Sequence, residues 1–245
     1  MSDTAKAPQA SIVIPVYNEE GILETAINDL LVRFPEQLPD VSFEIIITEN
    51  GSTDDTREIA YAMERKHEVV RVLHSPEPNY GRALRRGMLE ARGEFVLCDE
   101  IDICDVGFHR RALEILLAGQ ADLVVGSKAH PDAKDQRPLF RRMGTMVINN
   151  MLRVALGFQG TDTHGLKAFH RERMLPVVNR CIVDKDLFAS EFVIRAERAE
   201  RYNIVEIPIV IHEKRPPSIN LTKRVPHVLK NLAKLTWAIR VQGRD

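Results

Sequence analysis

Cysteine is scarce: the 245 residues hold three, Cys98, Cys104 and Cys181, an odd number with no CxxC pair. That excludes a disulfide framework and a structural zinc site, and it fits a reducing cytoplasm. Long apolar runs are missing too. None approaches the roughly 20 residues that a membrane-spanning helix needs, and Met1 to Gln9, polar and small, lacks the basic-then-apolar order of a signal peptide. The chain therefore reads as soluble or surface-bound, with a flexible N-terminus over residues 1–9. Neither sign of charge prevails, with 34 Lys and Arg against 35 Asp and Glu, which argues against nucleic acid as a partner. Basic residues do collect at the end. From Ile211 to Asp245 eight of them face two acidic residues, a local net of about +6, so an anionic partner is expected to meet this end.

What is present is a core-forming composition, 44% apolar and 28% charged, and a regular alternation of elements. Ala10–Val16 (ASIVIPV) is an apolar β-branched run ended by a turn, and Glu19–Leu31 carries an i, i+3/i+4 apolar stripe. Phe43–Thr48, Val69–His74, Glu94–Cys98 and Ala121–Ser127 read as further strands, with helices over Thr56–Arg65, Tyr80–Ala91 and Gly107–Ala118 between them. Beyond a polar loop at Lys128–Pro138 come a helix at Phe140–Leu156, a short strand at Ala168–His170 and a helix at Leu187–Glu200. Ile204–Ile211, with Pro208 inside it, suits an edge strand. Strands alternating with helices predict an α/β fold, a mostly parallel Rossmann-like sheet that binds ligands at the carboxyl ends of its strands. Three polar turns then share one edge: Tyr17-Asn18-Glu19, Glu49-Asn50-Gly51-Ser52 and Asp99–Asp102.

Three carboxylates within four residues, Asp99, Glu100 and Asp102, repel one another unless a cation or water compensates. A solvated acidic turn is one reading and a divalent metal the other. Mg²⁺ or Mn²⁺ takes one or two carboxylates and fills its remaining positions with phosphate oxygens and water.

The ordered series Pro15-Val16-Tyr17-Asn18-Glu19, Glu49-Asn50-Gly51-Ser52-Thr53-Asp54, Asn79-Tyr80-Gly81 and Gly93-Glu94-Phe95 to Asp102 resembles the family 2 inverting glycosyltransferases with the GT-A fold. The pattern is similar to dolichol-phosphate mannosyltransferase and other polyprenyl-phosphate glycosyltransferases. The likeness runs on through Val125-Gly126-Ser127, Thr161–Gly165, Phe188–Arg195 and Glu206–Arg215. It implies that Pro15, Tyr17, Glu19, Glu49, Gly81, Asp99 and Glu100 line a nucleotide-sugar, GDP or UDP linked, and that Glu100 and Asp102 hold Mg²⁺ or Mn²⁺ as the family's DxD pair. Two departures stand out: ENGS replaces DDGS, and Glu-Ile-Asp, preceded by Asp99, replaces DAD. The QxxRW signature of processive synthases is absent, so transfer of a single sugar is expected.

The implied reaction is a direct displacement at the anomeric carbon, with Asp102, Asp162, Lys214 and Arg215 near the reacting phosphates. A phosphate acceptor, such as a polyprenyl phosphate, needs no base. A hydroxyl acceptor on a glycolipid, polysaccharide or small metabolite needs one, for which Asp162 or His164 is available. Arg141, Arg142 and His164 are candidates for gripping an acceptor phosphate, His164 being equally readable as a buried, hydrogen-bonded residue. A non-catalytic nucleotide-sugar-binding subunit is the third reading. The domain is expected to span residues 10–222. Residues 223–245 are expected to form a basic amphipathic helix, which suits an anionic membrane surface at the cytoplasmic face or packs on the domain or on a second subunit of a homo-oligomer.

Overall fold

Apolar strands and amphipathic helices alternate along the chain and close into one seven-stranded sheet. The computed structural model describes residues 7–135, 139–211 and 221–243. The strands are β1 (Ala10–Val16), β2 (Phe43–Asn50), β3 (Val70–Ser75), β4 (Phe95–Cys98), β5 (Leu123–Ser127), β6 (Lys134–Asp135), β7 (Leu166–His170), β8 (Ile204–Pro208) and β9 (Val210–Ile211). The helices are α1 (Leu23–Gln37), α2 (Thr56–Lys66), α3 (Tyr80–Glu90), α4 (Val106–Leu117), α5 (Leu139–Leu156), α6 (Arg171–Arg180), α7 (Phe188–Arg198) and α8 (Leu221–Thr236), which continues as a wider turn over Trp237–Val241. The sheet order is β3-β2-β1-β4-β7-β5-β8, and every pairing is parallel except those of β7, which runs against both β4 and β5.

Side chains that alternate along β1 and β2 divide two apolar layers. Ile12, Ile14, Ile45 and Ile47 pack with α1, α2 and α4, while Val13 and Ile46 pack with Leu84 and Met88 of α3 and with α6 and α7 on the other face. Both faces are thus covered, which is why these strands read as continuous apolar runs.

Lys134–Asp135 departs from the sequence expectation: within the stretch read as a loop, it pairs with Val210–Ile211 in a small second sheet. Arg171–Arg180, for which the sequence set no expectation, is helical with Pro176 inside it. Pro208 does fall at the edge of the large sheet, at the end of β8. The terminal helix packs on the domain through Leu235, Ala238 and Ile239, all buried, while Leu229, Trp237 and Val241 stay exposed.

Candidate active site

Because β1, β2 and β4 are neighbours running in parallel, their C-terminal turns lie side by side, and backbone-directed hydrogen bonds stitch the first two together. Asn18 adopts the left-handed region at φ 53°, which Asn tolerates better than most residues. Its N–H donates to Ser52 Oγ (3.0 Å), and its Oδ1 accepts from the Thr53 N–H (2.8 Å). The Glu19 N–H donates to Thr56 Oγ1 (2.6 Å). Asn50 donates through Nδ2 to the Val16 carbonyl and accepts the Asn79 N–H, which joins this edge to the start of α3. Tyr17 stands on the rim, 43% exposed, while Pro15 is buried within β1 opposite Thr48. Glu49 is fully buried; its carboxylate accepts the Ser52 N–H (2.6 Å) and pairs with His74 Nδ1.

The three acidic residues do not act as one cluster. Asp99 points inward, 2% exposed, with Oδ1 accepting the Glu100 N–H (2.7 Å) and Oδ2 lying 2.7 Å from Nε2 of the buried His109 on α4. Glu100 and Asp102 are only partly buried. Burial raises the Glu100 pKa and neighbouring Asp102 and Asp99 raise it further, while Lys128 and Lys167 act in the opposite direction. Tyr80 is 44% exposed as a residue, yet burial around its hydroxyl lifts the phenol well above its usual range, with Glu100, Cys98, Asp99 and Asp102 adding to the effect.

Across the edge lies a second group, brought there by the reversed direction of β7. Asp162, fully buried, accepts the N–H groups of Lys128 (3.2 Å) and His164 (2.8 Å), and the Lys128 ammonium is 3.6 Å away. Burial alone would raise its pKa. The charge of Lys128, the His164 N–H and the charges of His164 and Lys167 outweigh that and hold it below the usual carboxylate value. His164, with Nδ1 near Thr163 Oγ1 and Nε2 near the Asp186 carbonyl, is driven down to about 4, first by burial and then by Lys128, so it is neutral at neutral pH and grips no phosphate as a cation. Lys167 is buried, donating to the Gly165 carbonyl (2.7 Å). The turn itself is fixed by Glu206, which accepts the Thr161 N–H and hydroxyl, by Ser127, and by Asn149 of α5, which donates to the Thr161 carbonyl. Gly165 is obligatory here, since a Cβ would lie 1.7 Å from the Gly126 carbonyl oxygen.

The structure therefore brings Glu100, Asp102, Asp162 and His164 to one edge with Tyr80, Lys128 and Lys167. Sequence reasoning missed Lys128, Lys167 and Glu206. Their one signal was a charge inside, or directly after, an apolar strand. Arg142 is exposed on α5, the Arg141 side chain lies outside the description, and Lys214 and Arg215 lie outside the described residues. Gly81 approaches protein rather than ligand: a Cβ there would fall 1.5 Å from the Asp184 carbonyl oxygen and 2.8 Å from the Phe188 Cβ. Gly81→Ala is expected to cost about 1–3 kcal/mol, read by urea unfolding as a lower midpoint at an unchanged slope.

A divalent cation fits this donor set. Among the described residues no group of three His, Cys, Asp or Glu forms a closed metal cage, but Glu100 and Asp102 supply two oxygen donors whose mutual repulsion a cation relieves. Mg²⁺ and Mn²⁺ use such a pair, completed by phosphate and water.

Known proteins share this fold. AglD, a glycosyltransferase of Haloferax volcanii, is 27% identical over 244 residues, 98% of this chain and 39% of its own length. The dolichyl-phosphate beta-glucosyltransferase ALG5C of Trichomonas vaginalis is 27% identical over 217 residues, 83% of this chain and 64% of its own. The chain thus spans between about two fifths and two thirds of these relatives. Among solved structures, glucosyl-3-phosphoglycerate synthase of Mycobacterium tuberculosis with UDP superposes at a TM-score of 0.63, with 20% identity, over 94% of this chain and 80% of that one. The mannosyltransferase PcManGT of Pyrobaculum calidifontis with GDP-Man and Mn²⁺ gives 0.60, with 18% identity, over 97% and 65%. The expected GT-A fold is the one found. The profile of Glycosyl transferase family 2 matches residues 11–173, more than half of the chain, and the protein belongs to that family.

Proposed function

We propose that this chain transfers a single sugar, with inversion, from a nucleotide diphosphate to a polyprenyl phosphate, and that Glu100 and Asp102 hold a divalent cation. The observation that carries the reading is the division of the sheet edge: Glu100 and Asp102, partly buried in the turn after β4, lie across from the Lys128–Asp162 pair and Lys167, whose charges reach Glu100. When bound, the cation supplies charge neutralisation on the leaving diphosphate. Lys128 stands where it can share that task, and Tyr17 and the Asn18–Ser52 stitch form the rim on which the nucleotide lies.

Proton chemistry supports a phosphate as the acceptor. Asp162 is held below the usual carboxylate range and His164 near 4, so neither is tuned to take a proton at neutral pH. A hydroxyl acceptor requires that step, and an already ionised phosphate oxygen does not. Dolichyl-phosphate beta-glucosyltransferases among the relatives support a lipid phosphate. So does an apolar face: Leu139, Met143, Met146, Val147 and Val154 on α5 are each more than half exposed, as are Trp237 and Val241 after α8. No helix among the described residues is long and apolar enough to cross a membrane, so any membrane contact made through them is peripheral, at an anionic surface.

Radiolabelled UDP-glucose and GDP-mannose, offered with a short polyprenyl phosphate and Mn²⁺, are expected to give an organic-extractable product with one of the two donors, lost on adding EDTA. Transfer to hydroxyl acceptors alone, or no product with any lipid phosphate, overturns the acceptor assignment.

A further inference from the structure

Each member of the Lys128–Asp162 pair is preceded in the chain by a hydroxyl residue, and the two hydroxyls meet: Ser127 Oγ and Thr161 Oγ1 are 2.6 Å apart. Ser127 Oγ also accepts the Ala129 N–H (3.1 Å), closing a turn around Lys128. Thr161 donates both its N–H (2.8 Å) and its hydroxyl to Glu206, which accepts the Asp162 N–H as well, at 3.4 Å. Glu206 reaches this point from the edge strand β8, where it lies beside Val125 of β5 in parallel register. Glu197 of α7 takes the two preceding donors, the N–H groups of Gln159 (3.1 Å) and Gly160 (3.0 Å). The backbone N–H groups of residues 159–162 therefore all end on two carboxylates. Gly160 makes room for this approach, since a Cβ there would lie 2.4 Å from Glu206 Oε1.

Asp162 lies ahead of β7, whose ladder to β5 begins with Leu166 opposite Gly126, so no sheet hydrogen bond fixes it. Lys128 lies just beyond β5 on a flexible four-carbon stem and takes its position from its surroundings. We propose that Glu206 and Thr161 are positioning residues for the transfer step: they fix Ser127 and the 161–162 backbone, and thereby hold the Lys128 ammonium at Asp162, across the cleft from Glu100 and Asp102. The inference rests on the transferase reading above. The Thr161 hydroxyl is the joint of the device, because it touches the carboxylate of β8 on one side and the hydroxyl that ends β5 on the other.

Steady-state transfer by the full chain, from whichever of UDP-glucose and GDP-mannose it uses to a short polyprenyl phosphate with Mn²⁺, is measured below the melting temperature of every variant. Thr161→Val keeps the branched shape and removes the hydroxyl. It is expected to lower kcat at least about tenfold, within the roughly hundredfold that a misplacement of about 1 Å can cost. The donor's KM is expected to stay unchanged, because the donor rests on the β1–β2–β4 platform. Thr161→Ser restores the hydroxyl and is expected to restore kcat. In a Lys128→Met background Thr161→Val is expected to cost nothing further, since the group it positions is gone. Glu206→Gln, which turns an amide toward the Thr161 hydroxyl, is expected to lower kcat in the same way and serves as the second variant should Thr161→Val fail to fold. An unmoved kcat in Thr161→Val, no rescue by Ser, or an undiminished loss in the Lys128→Met background overturns the proposal. If the unmutated chain transfers no sugar, the transferase reading falls and the proposal with it, an outcome distinct from an unmoved kcat in an active chain.

Discussion

Asp102→Ala is expected to reduce sugar transfer at least about a hundredfold, the scale on which one electrostatic contact to a developing charge contributes, without moving the melting temperature. Asp102 is partly open in the turn after β4 and, among the described residues, supports no other element through a side-chain hydrogen bond, so its removal is expected to leave the fold intact and halve the carboxylate pair. Asp99, three residues away, gives the opposite pattern. Its carboxylate is buried 2.7 Å from His109, so Asp99→Ala strands a ring inside the apolar layer and lowers the melting temperature, while the Mn²⁺ dependence of the surviving activity stays the same. A Mn²⁺ titration of transfer rate beside a thermal melt separates the two. Equal losses of activity with unchanged melting in both variants would show that the metal pair is Asp99 with Asp102.

The second large effect falls on stability. Glu191 has no exposed surface, and its two oxygens accept the N–H groups of Ile182 and Val183 and the Arg195 guanidinium at 2.7 Å. It organises the loop between α6 and α7 that Gly81 packs against. Glu191→Ala removes three acceptor contacts at once and leaves a buried guanidinium short of its carboxylate. Breaking a buried pair from one side costs about 3–5 kcal/mol, and in a chain of this size each kcal/mol lowers the melting temperature by about 2–4 °C, so a drop of order 10 °C is expected. A drop under about 3 °C would mean that the loop is held by its apolar contacts instead.

The sheet was legible because its strands are buried on both faces: ASIVIPV, FEIIIT and EFVLC stand out from their helices without any tertiary information. The acidic turn was legible for the same reason, as polar residues placed where an apolar run stops. What a linear pattern cannot give is the direction of each carboxylate. Whether Asp99 or Glu100 faces inward depends on the phase of the last residues of β4 and on a histidine on the following helix. Lys128, Lys167 and Glu206 were hidden differently. Each is a single charge within or directly after a strand, and it gains meaning only when β5, β7 and β8 are placed side by side. His74 escaped notice because its partner is 25 residues earlier. Gly81 misled because a glycine marks a close approach without saying what approaches.

The reversed course of β7 has a mechanical consequence. In a wholly parallel sheet only outgoing connections reach the ligand edge, since each chain segment enters its strand at the far side. Here residues 161–165 arrive at that edge on the way into a strand, clamped afterwards by ladders to β4 on one flank and β5 on the other. The half of the cleft that carries Asp162 is thus tethered on its downstream side by eight ladder pairs, four to each neighbouring strand, and on its upstream side by side chains: Asn149, Arg153, Glu197, Glu206 and Ser127. Length changes between α5 and Thr161 can therefore reshape the Asp162 side of the cleft while the β1–β2–β4 platform keeps its register.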